Sequence, residues 1–159
     1  MSTGAKTNAM RSLDARGIAY EVVSFSPDVR TAEGVAAAAG FPLDEVYKTL
    51  VVVGDGHRPV LVMVPGDREL DLKALSRALG AKRLALASRG DAERLTGLQL
   101  GGISALALTD QPFDVAIDCS AQRLNRIVVS AGRRGLNLRL CVAELVRATG
   151  ARWLDVAAR

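Results

Sequence analysis

The stretch "EVYKTLVVVGDGHRPVLVMVP", residues 45–65, decides the fold. Two apolar, β-branched runs, VYKTLVVV and PVLVMVP, flank the glycine-rich link GDGHR, which is the pattern of a β-hairpin. Strand alternation puts Val46, Lys48, Leu50 and Val52 on one face and Tyr47, Thr49, Val51 and Val53 on the other. Lys48 is therefore a charge set in an apolar strand, where an ammonium is stable only if it is paired or reaches water. Either its head snorkels into solvent from the strand end, or it emerges into a cleft and fixes a carboxylate, a phosphate or a terminal adenosine as a compact point charge.

Upstream of the hairpin, AKTNAMRSLDARG carries Ala9, Met10 and Leu13 on one helical face and stops at Gly17. The apolar Ile18–Val23 reads as a strand broken by SFSPD. Thr31 then caps a short alanine-rich helix, AEGVAAAA, which ends at Gly40 and Pro42. Downstream, Asp71 caps LKALSRALG, with Leu72, Leu75 and Leu79 on one face. KRLALAS reads as a strand and DAERLTG as a short helix. LQLGGIS is a glycine-containing loop leading to an apolar segment, Ala105 to Leu108. FDVAID, NRIVVS and LNLRL supply three more strands, the last two joined by AGRRG, before a final helix VAELVRATG. About eight short strands among about five short helices, without strict βαβαβ repeats, predict a mixed, largely antiparallel α+β domain rather than a doubly wound sheet.

The 159 residues, 49% hydrophobic and 24% charged, suit one compact domain, taken as residues 1–159. No apolar run approaches the roughly 18 residues of a membrane-spanning helix. The opening MSTGAKTNAM lacks the apolar core of a secretory signal, so a cytoplasmic location is expected. Cys119 and Cys141 have no metal or redox spacing and read as reduced core thiols. Charge is uneven. From Cys119 onward eight arginines face Glu144 and Asp155, while the rest of the chain is net acidic. That distribution is either a phosphate-binding surface or a set of scattered solvated arginines.

Several chemistries are excluded. His57 is the only histidine and falls in the hairpin link, so a Ser-His-Asp or Cys-His arrangement is not expected. There is no phosphate-binding G-x-x-x-x-G-K loop, no dinucleotide fingerprint and no cluster with metal-ligand spacing, so neither metal nor cofactor is expected. Two segments remain. The paired glycines Gly101 and Gly102 in GLQLGGIS either expose backbone N–H groups to a ligand, where such donors stabilise an oxyanion, or form an ordinary turn. VVSAGRRGL, with Gly132 and Gly135 around Arg133 and Arg134, has the look of a nucleic-acid loop, although loops of that kind join helices and this one joins strands.

Taken together, DEVYKTLVV, DLKALSRALGAKRLALAS, TGLQLGGIS, AID and VVSAGRRGLNL resemble the YbaK/EbsC family of aminoacyl-tRNA editing domains, related to the editing domain inserted in bacterial prolyl-tRNA synthetases. The resemblance runs in order from about Ile18 to Ala148. It implies a barrel-like α/β fold and a stand-alone hydrolase that removes a small wrong amino acid, cysteine or alanine, from tRNA(Pro). Mischarged tRNA is the implied partner, with prolyl-tRNA synthetase as a second. By the same resemblance Lys48, Gly101 and Gly102 act at the ester. Thr31, Thr49, Ile103, Ser104, Ser130, Gly132 and Asn137 border the substrate, and Arg133 and Arg134 meet the tRNA. Hydrolysis in the family leans on the substrate's own groups, a ribose hydroxyl or a cysteine thiol, which agrees with the missing triad.

The chain departs from the family's pattern at four places. Ala105 follows GGIS where proline is usual, which removes a φ lock. Asn137 follows RGL where aspartate is common, keeping hydrogen bonding and losing a negative charge. Phe25 and Ser26 stand where a tyrosine or histidine often occurs, and Thr31 where cysteine-specific members place an aromatic. The Ala105 and Asn137 changes support a rival expectation, a non-catalytic tRNA- or synthetase-binding module of the same fold; a third is a small-molecule hydrolase or binding protein that uses the same cleft.

Overall fold

The hairpin at residues 45–65 forms and becomes the centre of the larger of two sheets. The computed structural model describes residues 5–159, so the start of the polar opening lies outside the described residues. Along the chain the elements are α1 (Asn8–Ala15), β1 (Glu21–Ser24), α2 (Ala32–Ala39), β2 (Tyr47–Gly54), β3 (His57–Pro65), α3 (Leu72–Leu79), β4 (Ala85–Leu86), α4 (Arg89–Thr96), β5 (Asp114–Asp118), β6 (Arg126–Arg133), β7 (Leu136–Cys141), α5 (Val142–Thr149) and β8 (Arg152–Leu154). Three 3₁₀ turns, Leu43–Glu45, Ala105–Leu108 and Cys119–Arg123, fill the connections. No helix among the described residues is long and apolar enough to cross a membrane.

The five-stranded sheet has the order β4-β2-β3-β5-β8, and the three-stranded sheet the order β1-β7-β6. In the larger one β4, β2 and β3 are antiparallel, with Lys48 opposite Val64, whereas β3, β5 and β8 run parallel. The smaller sheet is antiparallel throughout. A parallel bridge between Val46 and Val128 ties the two together. The mixed α+β architecture is thus the expected one, with the strands shared between two sheets instead of closed into a single ladder.

Burial explains the strand sequences. Tyr47, Val51, Leu61, Met63 and Ile117 face the main core, where they meet Ile127, Val129, Leu138 and Leu140 of the smaller sheet and Leu13 of α1. Val52, Val60, Val62 and Val64 face the other way, against Leu75 of α3 and Val156. Because both faces of β3 are covered, its sequence is a continuous apolar run. Each of its fully buried aliphatic side chains contributes about 1.5–3 kcal/mol.

Some expectations need correction. Ile18 is buried in the main core, but the strand itself begins at Glu21, and KRLALAS shortens to the two residues of β4. The apolar Ala105–Leu108 is a 3₁₀ turn, started by Ser104, whose hydroxyl accepts the Ala107 N–H. β8 has no counterpart in the sequence reading.

Candidate functional site

Four separated segments converge on one cleft of about 290 Å³. One wall is residues 47–50 of β2. A second is the first turn of α2, fixed because Thr31 Oγ1 accepts the Gly34 N–H at 3.0 Å and the helix stops at Gly40, a left-handed residue with φ 78°. The third is the glycine loop at Leu100, Gly101 and Ile103. The fourth is the outer face of the smaller sheet, where Ser130 and Asn137 are direct cross-strand partners. That face is shared because Leu136, Leu138 and Leu140 turn into the main core and leave Asn137 on the opposite side.

Lys48 answers both alternatives posed by its sequence. Lys48 lines the cleft, its side chain is mostly buried, and its Nζ lies 2.9 Å from Oε2 of Glu69, which is not a lining residue. Glu69 is 82% exposed, so this pair is worth about 0–1 kcal/mol and yields readily to an incoming anion. Beside it Thr49 Oγ1 is buried without a hydrogen-bond partner among the described residues. A hydroxyl in that condition costs about 1–3 kcal/mol until something pairs with it. Asn137 is 6% exposed and forms no side-chain hydrogen bond among the described residues. Ser130 Oγ accepts the Gly132 N–H at 3.1 Å, which leaves its own proton for donation.

The glycine pair divides its work. Gly101 lines the cleft with φ 90°, a conformation that disfavours any side chain, and no backbone acceptor among the described residues takes its N–H. Gly102 lies behind the wall. Its N–H donates to the Gln99 carbonyl at 2.8 Å, and a Cβ there would sit 3.0 Å from Arg134 N and 3.1 Å from Arg133 C. Its lack of a side chain lets the loop lie flat on the β6–β7 turn. Arg134 fastens the same contact by donating Nε–H to the Leu100 carbonyl at 2.8 Å. From the other side Glu93 Oε2 accepts the Leu100 N–H at 2.8 Å, a bond that holds the Glu93 carboxyl below the usual glutamate range.

Of the residues singled out in the sequence, Thr31, Lys48, Thr49, Gly101, Ile103, Ser130 and Asn137 share the cleft. Gly102, Ser104 and Gly132 do not line it and instead shape the loops behind it. Ser104 is 1% exposed and serves as the cap noted above. Arg133 is exposed, with a long contact of 3.4 Å to the Ala5 carbonyl. Sequence reasoning missed Arg30 and Glu33 on the rim and Glu69 over Lys48. Neither carries a local signal: a lone arginine before the Thr31 cap reads as solvated surface, and Glu69 comes from a connection whose path local pattern does not encode.

His57 lies apart from the cleft, with Nε2 3.8 Å from Asp114 Oδ2. Among the described residues one group, Asp118, Cys119 and Asp155, has ligand atoms within 4.8 Å of one another. Asp118 does not suit a metal there, because Oδ1 accepts the N–H groups of Val156 and Ala157 and Oδ2 that of Ser120. Burial pushes this carboxyl up, but its hydrogen bonds from Ser120, Val156 and Ala157 outweigh that and hold it below the usual aspartate range. Asp118 is thus a fastener for the C-terminal segment.

The pattern of the aminoacyl-tRNA editing domain matches residues 26–148. The chain belongs to this family. It is 35% identical over 156 residues to EbsC of Enterococcus faecalis, which is named as a proposed Cys-tRNA(Pro)/Cys-tRNA(Cys) deacylase; the match covers 97% of this chain and 94% of that protein. A proline–tRNA ligase of Geobacter metallireducens is 31% identical over 114 residues, 72% of this chain but 19% of the ligase. Among solved structures, one described as a proposed trans-editing enzyme for prolyl tRNA synthetase superposes with a TM-score of 0.85 at 27% identity, covering 98% of this chain and 100% of that one. The editing-domain match spans all four walls of the cleft.

Proposed function

We propose that the cleft deacylates mischarged tRNA in trans, releasing cysteine or alanine from tRNA(Pro), with residues 1–159 acting as one editing domain in the cytoplasm. The chain is an aminoacyl-tRNA deacylase by family, and the named activity of EbsC supports the choice of substrate. The observation that carries the reading is the convergence of Lys48, Gly101, Ser130 and Asn137 on one cleft.

The chemistry follows from what each group can do. Lys48, once it leaves Glu69, presents a compact charge to the ester end of the terminal adenosine. The Gly101 N–H serves as donor to the carbonyl oxygen as negative charge develops, an interaction of about 2.7–4 kcal/mol in comparable sites. Ser130 and Asn137 offer polar contacts to the amino acid and ribose. A water oxygen adds to the carbonyl carbon, the carbon–oxygen bond to the ribose breaks, and the ribose oxygen leaves with a proton. The lining contains no histidine, cysteine or aspartate, and its carboxylate, Glu33, sits on the exposed first turn of α2. Activation of the water therefore falls to backbone groups and to the substrate, through the adjacent ribose hydroxyl or a cysteine thiol.

Discrimination between small side chains by fit gives only about 1–3 kcal/mol per methylene, which is why a separate hydrolytic site is useful to a synthetase. Prolyl-tRNA synthetase is accordingly the proposed supplier of substrate, and Arg133 and Arg134 the proposed contacts to tRNA. The test is release of labelled amino acid from a panel of mischarged tRNAs. Turnover of Cys-tRNA(Pro) or Ala-tRNA(Pro), with Pro-tRNA(Pro) spared, is expected. Tight tRNA binding without turnover of any member would replace the enzyme by a binding module.

A further inference from the structure

We propose that Arg30 binds the phosphodiester that joins the terminal adenosine of the tRNA to the preceding nucleotide, an inference that rests on the deacylase reading of the cleft. Arg30 stands on the cleft rim with Lys48 and Gly101. It differs from the other cations there. Lys48 is paired with Glu69, and Arg134 is bonded to the Leu100 carbonyl, whereas Arg30 forms no ion pair or side-chain hydrogen bond among the described residues. Glu33, the acid on the same rim, forms no ion pair with it.

The side chain is nevertheless positioned. A Cβ built on Gly101 would lie 3.2 Å from Arg30 Cβ, 3.4 Å from its Cγ and 3.5 Å from its Cα, so the base of the arginine rests against the bare backbone of the glycine loop. The following residue, Thr31, is held by its cap to Gly34, which fixes the backbone from which Arg30 projects. The root of an unpaired arginine is thereby set beside Gly101, which lines the cleft.

Size gives the ligand. At about 290 Å³ the cleft lies at the bottom of the usual range for small-molecule sites, roughly 300–1,000 Å³. With the aminoacylated adenosine held there, as the deacylase reading has it, the polynucleotide must leave across the rim and carry its first phosphodiester with it. A guanidinium matches two phosphate oxygens with parallel N–H donors, and its weak hydration suits it to that exchange better than an ammonium.

The experiment compares wild type, Arg30→Ala and Arg30→Lys on two substrates bearing the same amino acid: the mischarged tRNA, and the 3′-aminoacyl adenosine, which has no phosphate. Arg30→Ala is expected to lower kcat/KM on the tRNA by about 10- to 100-fold, chiefly through KM, with partial recovery in Arg30→Lys. On the aminoacyl adenosine it should match wild type within about twofold. In parallel, the slope of log Kd for uncharged tRNA against log salt should fall by about 0.7, the loss of one phosphate contact on a single strand. That slope and competition by the dinucleotide CpA decide the matter even if the adenosine ester turns over too slowly to follow. Equal losses on both substrates, or an unchanged slope and unchanged CpA competition, would overturn the assignment. Failure of the wild-type chain to hydrolyse any ester would instead overturn the deacylase reading, so the two failures are distinct.

Discussion

Gly102→Ala separates a packing role from a donor role in the glycine loop. A methyl group there meets Arg134 N at 3.0 Å, Arg133 C at 3.1 Å and Arg133 Cα at 3.2 Å, all backbone atoms of the β6–β7 turn. None of them is the free end of a side chain, so the loop and the turn must part by a few tenths of an ångström. Gly102 is not among the residues of positive φ, so the cost is one of overpacking, about 1–3 kcal/mol. In a domain of this length that lowers Tm by about 2–12 °C. The same displacement strains the Arg134–Leu100 and Glu93–Leu100 hydrogen bonds that hold Gly101 at the cleft. Thermal denaturation by circular dichroism together with deacylation kinetics forms the assay. The expected outcome is a clear fall in Tm with a parallel loss of kcat. An unchanged Tm with kcat abolished would refute the reasoning, since it would mean that Gly102 acts on substrate directly.

Two other perturbations follow from the same geometry. Glu69→Gln removes the exposed partner of Lys48, so Tm should move by no more than about 3 °C while KM for mischarged tRNA falls by up to about fivefold; a weaker KM would show that Glu69 orients the lysine rather than competing for it. Asp118 has a folded-state pKa below its ordinary value, so its stabilisation is present above an unfolded pKa of about 3.9 and is lost as pH falls through the lower folded value. Asp118→Asn should therefore lower stability by about 1–3 kcal/mol at pH 7 and flatten the acid limb of a Tm-against-pH curve, and an acid limb identical to wild type would contradict the role given to this carboxylate.

How far the sequence speaks for the structure depends on the range of the interaction. The hairpin, the Thr31 and Asp71 caps and the strands of the β6–β7 pair are local, set by period and by neighbouring residues, and each was legible. The parallel pairing of β3 with β5, and of β5 with β8, was not, because nothing in a parallel strand's own pattern names its partner. Ala105–Leu108 was legible only as an apolar segment: its burial is real, but the Ser104 hydroxyl bonded to the Ala107 N–H, which makes it a 3₁₀ turn, is a property of the folded loop. In the site, Lys48 and the glycine pair stood out from the residues themselves, while Thr31, Thr49, Ile103, Ser130 and Asn137 came from the family resemblance. Gly102 is chemically indistinguishable in sequence from Gly101, and the hydrogen bond to Gln99 that separates them is a property of the folded turn. Arg30 carries no local pattern of its own, since a lone arginine before a helix cap reads as solvated surface.

The claim on which the rest depends is that the Lys48 ammonium and the Gly101 backbone act together on an ester held in one cleft. Single-turnover deacylation of the preferred mischarged tRNA by Lys48→Ala, with Tm measured on the same sample, tests it most directly. A loss of about 100- to 1,000-fold in the rate of ester cleavage with folding intact is the predicted result. Cleavage by Lys48→Ala at the wild-type rate, in a protein that is still folded, would contradict it.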